Sequence, residues 1–411
     1  MNEFEVFELS NGIRVVHKQI NRPIAHCGLM IKAGSRDESK AEEGLAHFIE
    51  HVFFKGTAKR KAYHILSRME DVGGELNAYT TKEDTVIYSS FLKDDYSRAI
   101  ELLLDIAFNS TFPEKELKKE KEVIIDEINS YKDSPSELIF DDFETLMYPD
   151  HPLGMNILGS PETVKSFSKS DVQGFLNRFY SAENIVFSSV GNISATKLKK
   201  QLETYLNSKL QYGKSQTNRN SPGIYSPSKL ELKKAVYQCH AIIGNRAYSA
   251  VDEKARTLHL LNNLLGGPGM NSRLNLNIRE KYGFTYNIES FYSPYSDTGL
   301  FGVYAGTDPS NINKTLELVE KELKKLRDKP LGILQLKKAK RQMLGQIAMA
   351  QENNASLMLS LGKSLLSFNK IDSFKEIVEK VESIQSSDIL EIANDIFDPN
   401  KLSTIIYQPQ H

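Results

Sequence analysis

Residues 44–54 read GLAHFIEHVFF, an apolar run that holds His47, Glu50 and His51. On an α-helix, positions four apart share a face about one turn apart, so the two imidazoles can point at one centre. Imidazole nitrogens are natural ligands for Zn2+. Glu50 lies a turn from His47 and next to His51, beside such a metal rather than on it. A carboxylate there suits a general base working on a metal-activated water. A histidine pair at this spacing also occurs as plain surface or capping decoration. The intervening glutamate and the apolar flanks weigh toward metal chemistry.

The order His-x-x-Glu-His inverts the His-Glu-x-x-His spacing of another set of zinc sites. Two histidines do not complete a catalytic zinc site, which usually has three protein ligands and an open position. The stretch 114–131, EKELKKEKEVIIDEINSY, is strongly helical and carries Glu120 and Glu127 two turns apart on one face. Val123-Ile124-Ile125 implies that this side of the helix is buried. A carboxylate at its edge is a reasonable third ligand, and spacing leaves Glu120, Glu122, Asp126 and Glu127 all open.

Elements must hold these groups in place. FEVFELSNGIRVVHKQ reads as two strands turned at Asn11-Gly12. AHCGLMIKAGS reads as a further strand, residues 43–54 as a helix, and residues 76–90 as a strand pair followed by an amphipathic helix. The second half repeats the order: AVYQCHAIIGNRAYS as strand, EKARTLHLLNNLLGG as helix, FTYNIESFYSPYSDTGLFGVYAGTD as strands, NINKTLELVEKELKKL as helix. SKSDVQGFLNRFYSAENIV from Ser168 matches QSSDILEIANDIFDPNKLS from Gln385, and HFIEH at His47 falls against HLLNN at His259. Offsets of 217 and 212 residues point to an internal duplication. Residues 211–228, QYGKSQTNRNSPGIYSPS, read as a linker. The expected architecture is α+β: two homologous α/β domains, 1–210 and 229–411, each a mostly antiparallel sheet with helices packed on one face.

With these motifs in place, EEGLAHFIEHVFFKGT resembles the signature of the insulinase/pitrilysin family of zinc metallopeptidases, above all short bacterial members akin to mitochondrial processing peptidase. The resemblance covers nearly the whole chain. It implies Zn2+ held by His47, His51 and Glu127 (76 residues beyond His51, within EVIIDEI), Glu50 as base and Glu120 supporting the site. GGELNAYTTKEDTVIYSS resembles the family's edge strand, which implies a peptide substrate added as an extra strand, with Asn77 and Ala78 against the scissile region. GGPGMNSRLNLNIREKYGFTYNIES resembles the segment whose arginine and tyrosine, here Arg279 and Tyr286, reach the substrate or its tetrahedral intermediate. The implied activity is zinc-dependent hydrolysis of short unfolded peptides, with a homodimer, or a self-sufficient monomer, as the expected assembly rather than an obligate heterodimer. The rival within the same fold is a catalytically inactive scaffold, which should have lost a member of the metal set. A non-haem iron enzyme also uses two histidines and a carboxylate, and bound-metal analysis separates it.

The bulk properties exclude other partners. A chain of 411 residues exceeds one average domain. A net charge of −1, with no basic stripe or polybasic tail, argues against nucleic-acid and anionic-membrane partners. Cys27 and Cys239 are the only cysteines, so a reducing compartment fits. The acidic N-terminal residues do not form a signal peptide, and no apolar run is long enough to span a bilayer. The expected location is cytoplasmic. His17, His26, His64 and His151 are assigned no role in the site.

Overall fold

Asn11-Gly12 turns the chain between its first two strands, and the Asn11 Oδ1 accepts the Ile13 amide at 3.0 Å. The computed structural model describes residues 3–206, 217 and 219–410, so residues 211–216 and 218 of the expected linker lie outside the described residues. In the first half, the elements are β1 (Glu5–Glu8), β2 (Arg14–Gln19), β3 (Ile24–Ile31), α1 (Leu45–Phe53), α2 (Ala62–Glu70), β4 (Glu75–Thr80), β5 (Thr85–Leu92), α3 (Tyr96–Asn109), α4 (Glu114–Lys132), α5 (Pro135–Met147), α6 (Pro161–Ser166), α7 (Lys169–Phe179), β6 (Ile185–Gly191) and α8 (Ala195–Tyr205). In the second they are β7 (Lys229–Lys234), β8 (Cys239–Ala247), α9 (Ala255–Gly266), β9 (Thr285–Pro294), β10 (Gly299–Thr307), α10 (Ile312–Asp328), α11 (Ile333–Glu352), α12 (Asn354–Phe368), α13 (Phe374–Glu382), α14 (Ser386–Ile396) and β11 (Ser403–Pro409).

Two compact units result. One comprises Met1–Asn129, Met155–Arg219 and Met349–Ser373; the other comprises Ser130–Gly154, Asn220–Ala348 and Phe374–His411. The first unit's sheet has the order β1-β2-β6-β3-β5-β4, and the second's β7-β11-β8-β10-β9. Among the described residues only β2–β6 and β7–β11 pair in parallel. Matching β2, β6, β3, β5, β4 to β7, β11, β8, β10, β9 shows one connection pattern used twice. The chain is thus two α+β domains of repeated topology.

In the first unit, α1, α3 and α7 pack on one sheet face around Leu29, Ile31, Phe48, Leu103 and Phe175, all fully buried. To the helices on one face the structure adds one more on the opposite face of each sheet. In the first unit it is α12, whose Leu357, Met358, Leu361 and Leu365 cover Val16, Met30, Val86, Val186 and Val190. The Ser188 hydroxyl donates to the Met358 carbonyl at 2.6 Å. In the second it is α5, whose Ile139, Phe143 and Met147 cover Ile242, Leu300, Ile405 and Tyr407. Each unit therefore takes one covering helix from the other half of the sequence. No helix among the described residues is long and apolar enough to cross a membrane.

The entry to α1 is tightly constrained. Gly44 precedes it with φ +93°, against Gly159 with φ +74°. A Cβ on Gly44 would come within 2.7 Å of Leu158 O, and one on Gly159 within 2.4 Å of Glu43 O. Only glycine takes these conformations without steric cost.

Candidate active site

Leu45, Ala46, Phe48, Ile49, Val52 and Phe53 bury α1 in the first unit's core, which leaves His47, Glu50 and His51 along its rim. Helix α4 crosses nearby, anchored by the buried Leu117, Ile124 and Ile128. Glu120 and Glu127 lie on the side of α4 that faces the histidines. Glu122 and Asp126, equally open on spacing, point to solvent.

His47, His51 and Glu127 offer ligand atoms all within 4.8 Å of one another, and no other such cluster of three occurs among the described residues. The Glu127 carboxylate stands 3.8 Å from His47 Nε2 and 3.4 Å from His51 Nε2. These gaps exceed the usual ~3 Å of an N–H···O bond. Donors about 2 Å from one tetrahedral ion stand a little over 3 Å apart, so the gaps match a shared cation better than direct pairing. Burial, with His51 beside it, pushes the His47 imidazole down to about 3, keeping a lone pair free at neutral pH. Its Nδ1 is buried without a hydrogen-bond partner. The donor set, two imidazoles and a carboxylate, fits Zn2+.

The surroundings hold this set in orientation. His51 Nδ1 lies 3.3 Å from Glu120 Oε2, while Lys55 Nζ donates to Glu120 Oε1 at 2.8 Å. Burial pushes the Glu120 carboxyl up, but the His51 and Lys55 contacts outweigh it and hold the group below the ordinary carboxylate range. An ionised partner on the outer imidazole nitrogen fixes ring orientation and strengthens the inner nitrogen as a donor. Lys55 is absent from the sequence reading. Its signal is position, four residues past His51.

Glu50 is half-buried on α1. Burial raises its pKa, Thr80 and His51 oppose the rise, and the Glu127 charge adds to it. Thr80 closes β4, one of the sheet's two edge strands, against which α1 packs. Asn77 is exposed on β4, whereas Ala78 is partly buried against the core. Arg279 and Tyr286 belong to the second unit. Arg279 is exposed on a π-helical turn, Asn275–Glu280, and Tyr286 is 72% exposed on β9.

Known proteins resemble this chain in sequence and fold. Residues 14–161 match the family model Insulinase (Peptidase family M16), and residues 166–343 match Peptidase M16 inactive domain. An uncharacterized zinc protease of Rickettsia bellii is 35% identical over 98% of this chain and 97% of its own length. The uncharacterized zinc protease YmxG of Bacillus subtilis is 33% identical over 95% of each. A crystal structure of a peptidase M16 inactive domain from Pseudomonas fluorescens superimposes with a TM-score of 0.92 at 20% identity, covering 99% of this chain and 98% of that one. That likeness establishes the fold, and the relatives establish kinship across the whole length. The chain belongs to the insulinase family of peptidases, family M16.

Proposed function

We propose that the chain is a zinc-dependent endopeptidase that cuts short unfolded peptides. One observation carries this reading: His47, His51 and Glu127 converge on a common point with Glu50 beside them. His47, His51 and Glu127 would hold Zn2+. An ion held there would supply Lewis acidity for activating a water. Glu50 takes the proton at its carboxylate and hands it to the leaving amine. Glu120 and Lys55 keep the His51 ring in place. The outer edge of β4, at Asn77 and Ala78, receives the peptide as an added strand, so affinity comes from main-chain pairing. The exposed Arg279 and Tyr286 are suitable donors to a developing oxyanion. A cytoplasmic homodimer completes the reading, with neither nucleic acid nor membrane as partner.

The test is Glu50→Gln, with zinc content by elemental analysis and cleavage of a quenched fluorescent peptide. We expect about one zinc per chain retained and a rate loss on the order of 100-fold to 10,000-fold. Full activity in Glu50→Gln would remove Glu50 from the mechanism. The second reading is an inactive, peptide-holding subunit. It is favoured by the inactive-domain match at residues 166–343 and by α9, which carries His259 and Asn263 opposite the His47 and His51 positions. A wild-type chain that binds zinc yet cleaves no peptide in a broad library would establish it.

A further inference from the structure

Helix α1 lacks a side-chain cap of its own, since its N-cap is Gly44. The cap comes from upstream. Glu38 is 4% exposed, and its Oε2 accepts the Gly44 amide at 2.9 Å and its Oε1 the Ala46 amide at 2.6 Å. These amides belong to the helix end where unpaired N–H groups and a partial positive charge collect. Burial pushes the Glu38 carboxyl well up, while the two amides and the nearby Lys82 counter that push.

The loop that carries Glu38 is itself clamped to the β4–β5 hairpin tip. Ser35 N donates to Thr81 O at 3.2 Å and Arg36 N to Lys82 O at 2.8 Å. The Arg36 guanidinium pairs with Glu83 at 2.6 Å. Arg219 grips both sides, donating to Asp37 at 2.9 and 2.8 Å and to Glu83 O at 2.6 Å. The tip at Thr81 runs directly into β4. Residues 34–38 thus form a bracket with one arm on the β4–β5 turn and the other on the first turn of α1, where His47 sits.

We propose that Glu38 is a positioning residue: by capping α1 from this bracket it sets His47 and Glu50 in place relative to β4. Its catalytic consequence rests on the peptidase reading above, but its structural consequence does not. Without the carboxyl the first turn of α1 frays, and His47 is lost as a fixed donor before His51 is. Displacements of about 1 Å in a reacting group cost on the order of 100-fold in rate.

The experiment compares Glu38→Gln with Asp37→Asn. The first is isosteric but turns an amide NH2 toward one helix N–H. The second weakens the Arg219 grip on the same loop, while Arg219 keeps its bond to Glu83 O and Glu38 stays intact. In the metal-free protein, amide hydrogen exchange of residues 44–48 should speed up in Glu38→Gln while exchange in α4 is unchanged. Zinc affinity, read by chelator competition, should fall about tenfold or more, as for lost supporting contacts at metal sites. On an unstructured peptide, kcat should drop with KM nearly unchanged. Asp37→Asn, which loosens only the far arm of the bracket and leaves the Glu38 cap in place, should show clearly smaller changes than Glu38→Gln even if its melting temperature falls equally. Unchanged protection and zinc affinity in Glu38→Gln, or equal losses in Asp37→Asn, would overturn the proposal. If wild type cleaves nothing, the exchange and zinc measurements still decide Glu38, and it is the peptidase reading that fails.

Discussion

At the scale of single residues, the site is a small set of charges with unequal exposure. Glu120 is 6% exposed and bonded on both oxygens, so its removal leaves His51 unsupported and Lys55 unpaired. Glu120→Gln should weaken zinc binding about 10-fold to 100-fold with the chain still folded, and Lys55→Met should act in the same direction. Chelator titrations read both. Glu127→Gln should abolish stoichiometric zinc, whereas Glu122→Gln and Asp126→Asn, on solvent-facing positions, should leave it intact. Much of this is legible in the sequence, because helical spacing alone puts His47 and His51 on one face. The choice among four carboxylates is not legible from spacing, because it depends on where α4 crosses α1. Glu38 leaves no trace either: one of several acids in a polar loop, next to Asp37, it looks like the others until its partners six and eight residues on are seen.

At the scale of elements, α1 is a buried helix whose one functional rim depends on its apolar remainder. Phe48→Ala should cost about 3–5 kcal/mol, measured by denaturant unfolding, since Phe48 is fully buried among α1, α3 and α7. Gly159→Ala should perturb the same helix from outside, because the new Cβ would meet Glu43 O at 2.4 Å in a backbone conformation that suits glycine. We expect lowered zinc affinity together with a lowered melting temperature, and an unchanged zinc affinity would show that the loop yields instead. Strands and helices with clear periodicity are readable, as in β2, β3, α4 and α10. The assignment of α5 and α12 to their sheets is not, because an amphipathic helix does not state which apolar face it will cover.

At the scale of the whole molecule, stability should depend on pH through buried neutral imidazoles. His17 is fully buried, with Nδ1 3.2 Å from Ser189 O and Nε2 2.8 Å from Ile193 O, and burial holds its pKa below the ordinary value. The folded state thus resists protonation that the unfolded chain accepts. Above pH ~6.5 both states are neutral and nothing is lost; below it stability falls, by up to about 1.4 kcal/mol per pH unit, until the folded pKa is reached. Urea midpoints between pH 7 and 5 should drop, and His17→Gln should flatten the slope. The division of labour between the halves gives a second test. A fragment ending at residue 210 lacks α12 and leaves Val16, Met30, Val86 and Val190 uncovered. It should aggregate alone and become soluble when co-expressed with the remainder.

The same exchange of helices has a consequence in time. Strand β6 completes the first sheet at Gly191, but its last covering helix begins at Asn354, about 160 residues later in synthesis. A ribosome adding about 5–20 residues per second takes roughly 8–30 seconds over that interval. For that long the nascent chain carries a finished sheet with one oily side open, a dwell in which a chaperone can bind or a neighbouring polysome can stick. The first domain to be made is therefore among the last to be sealed.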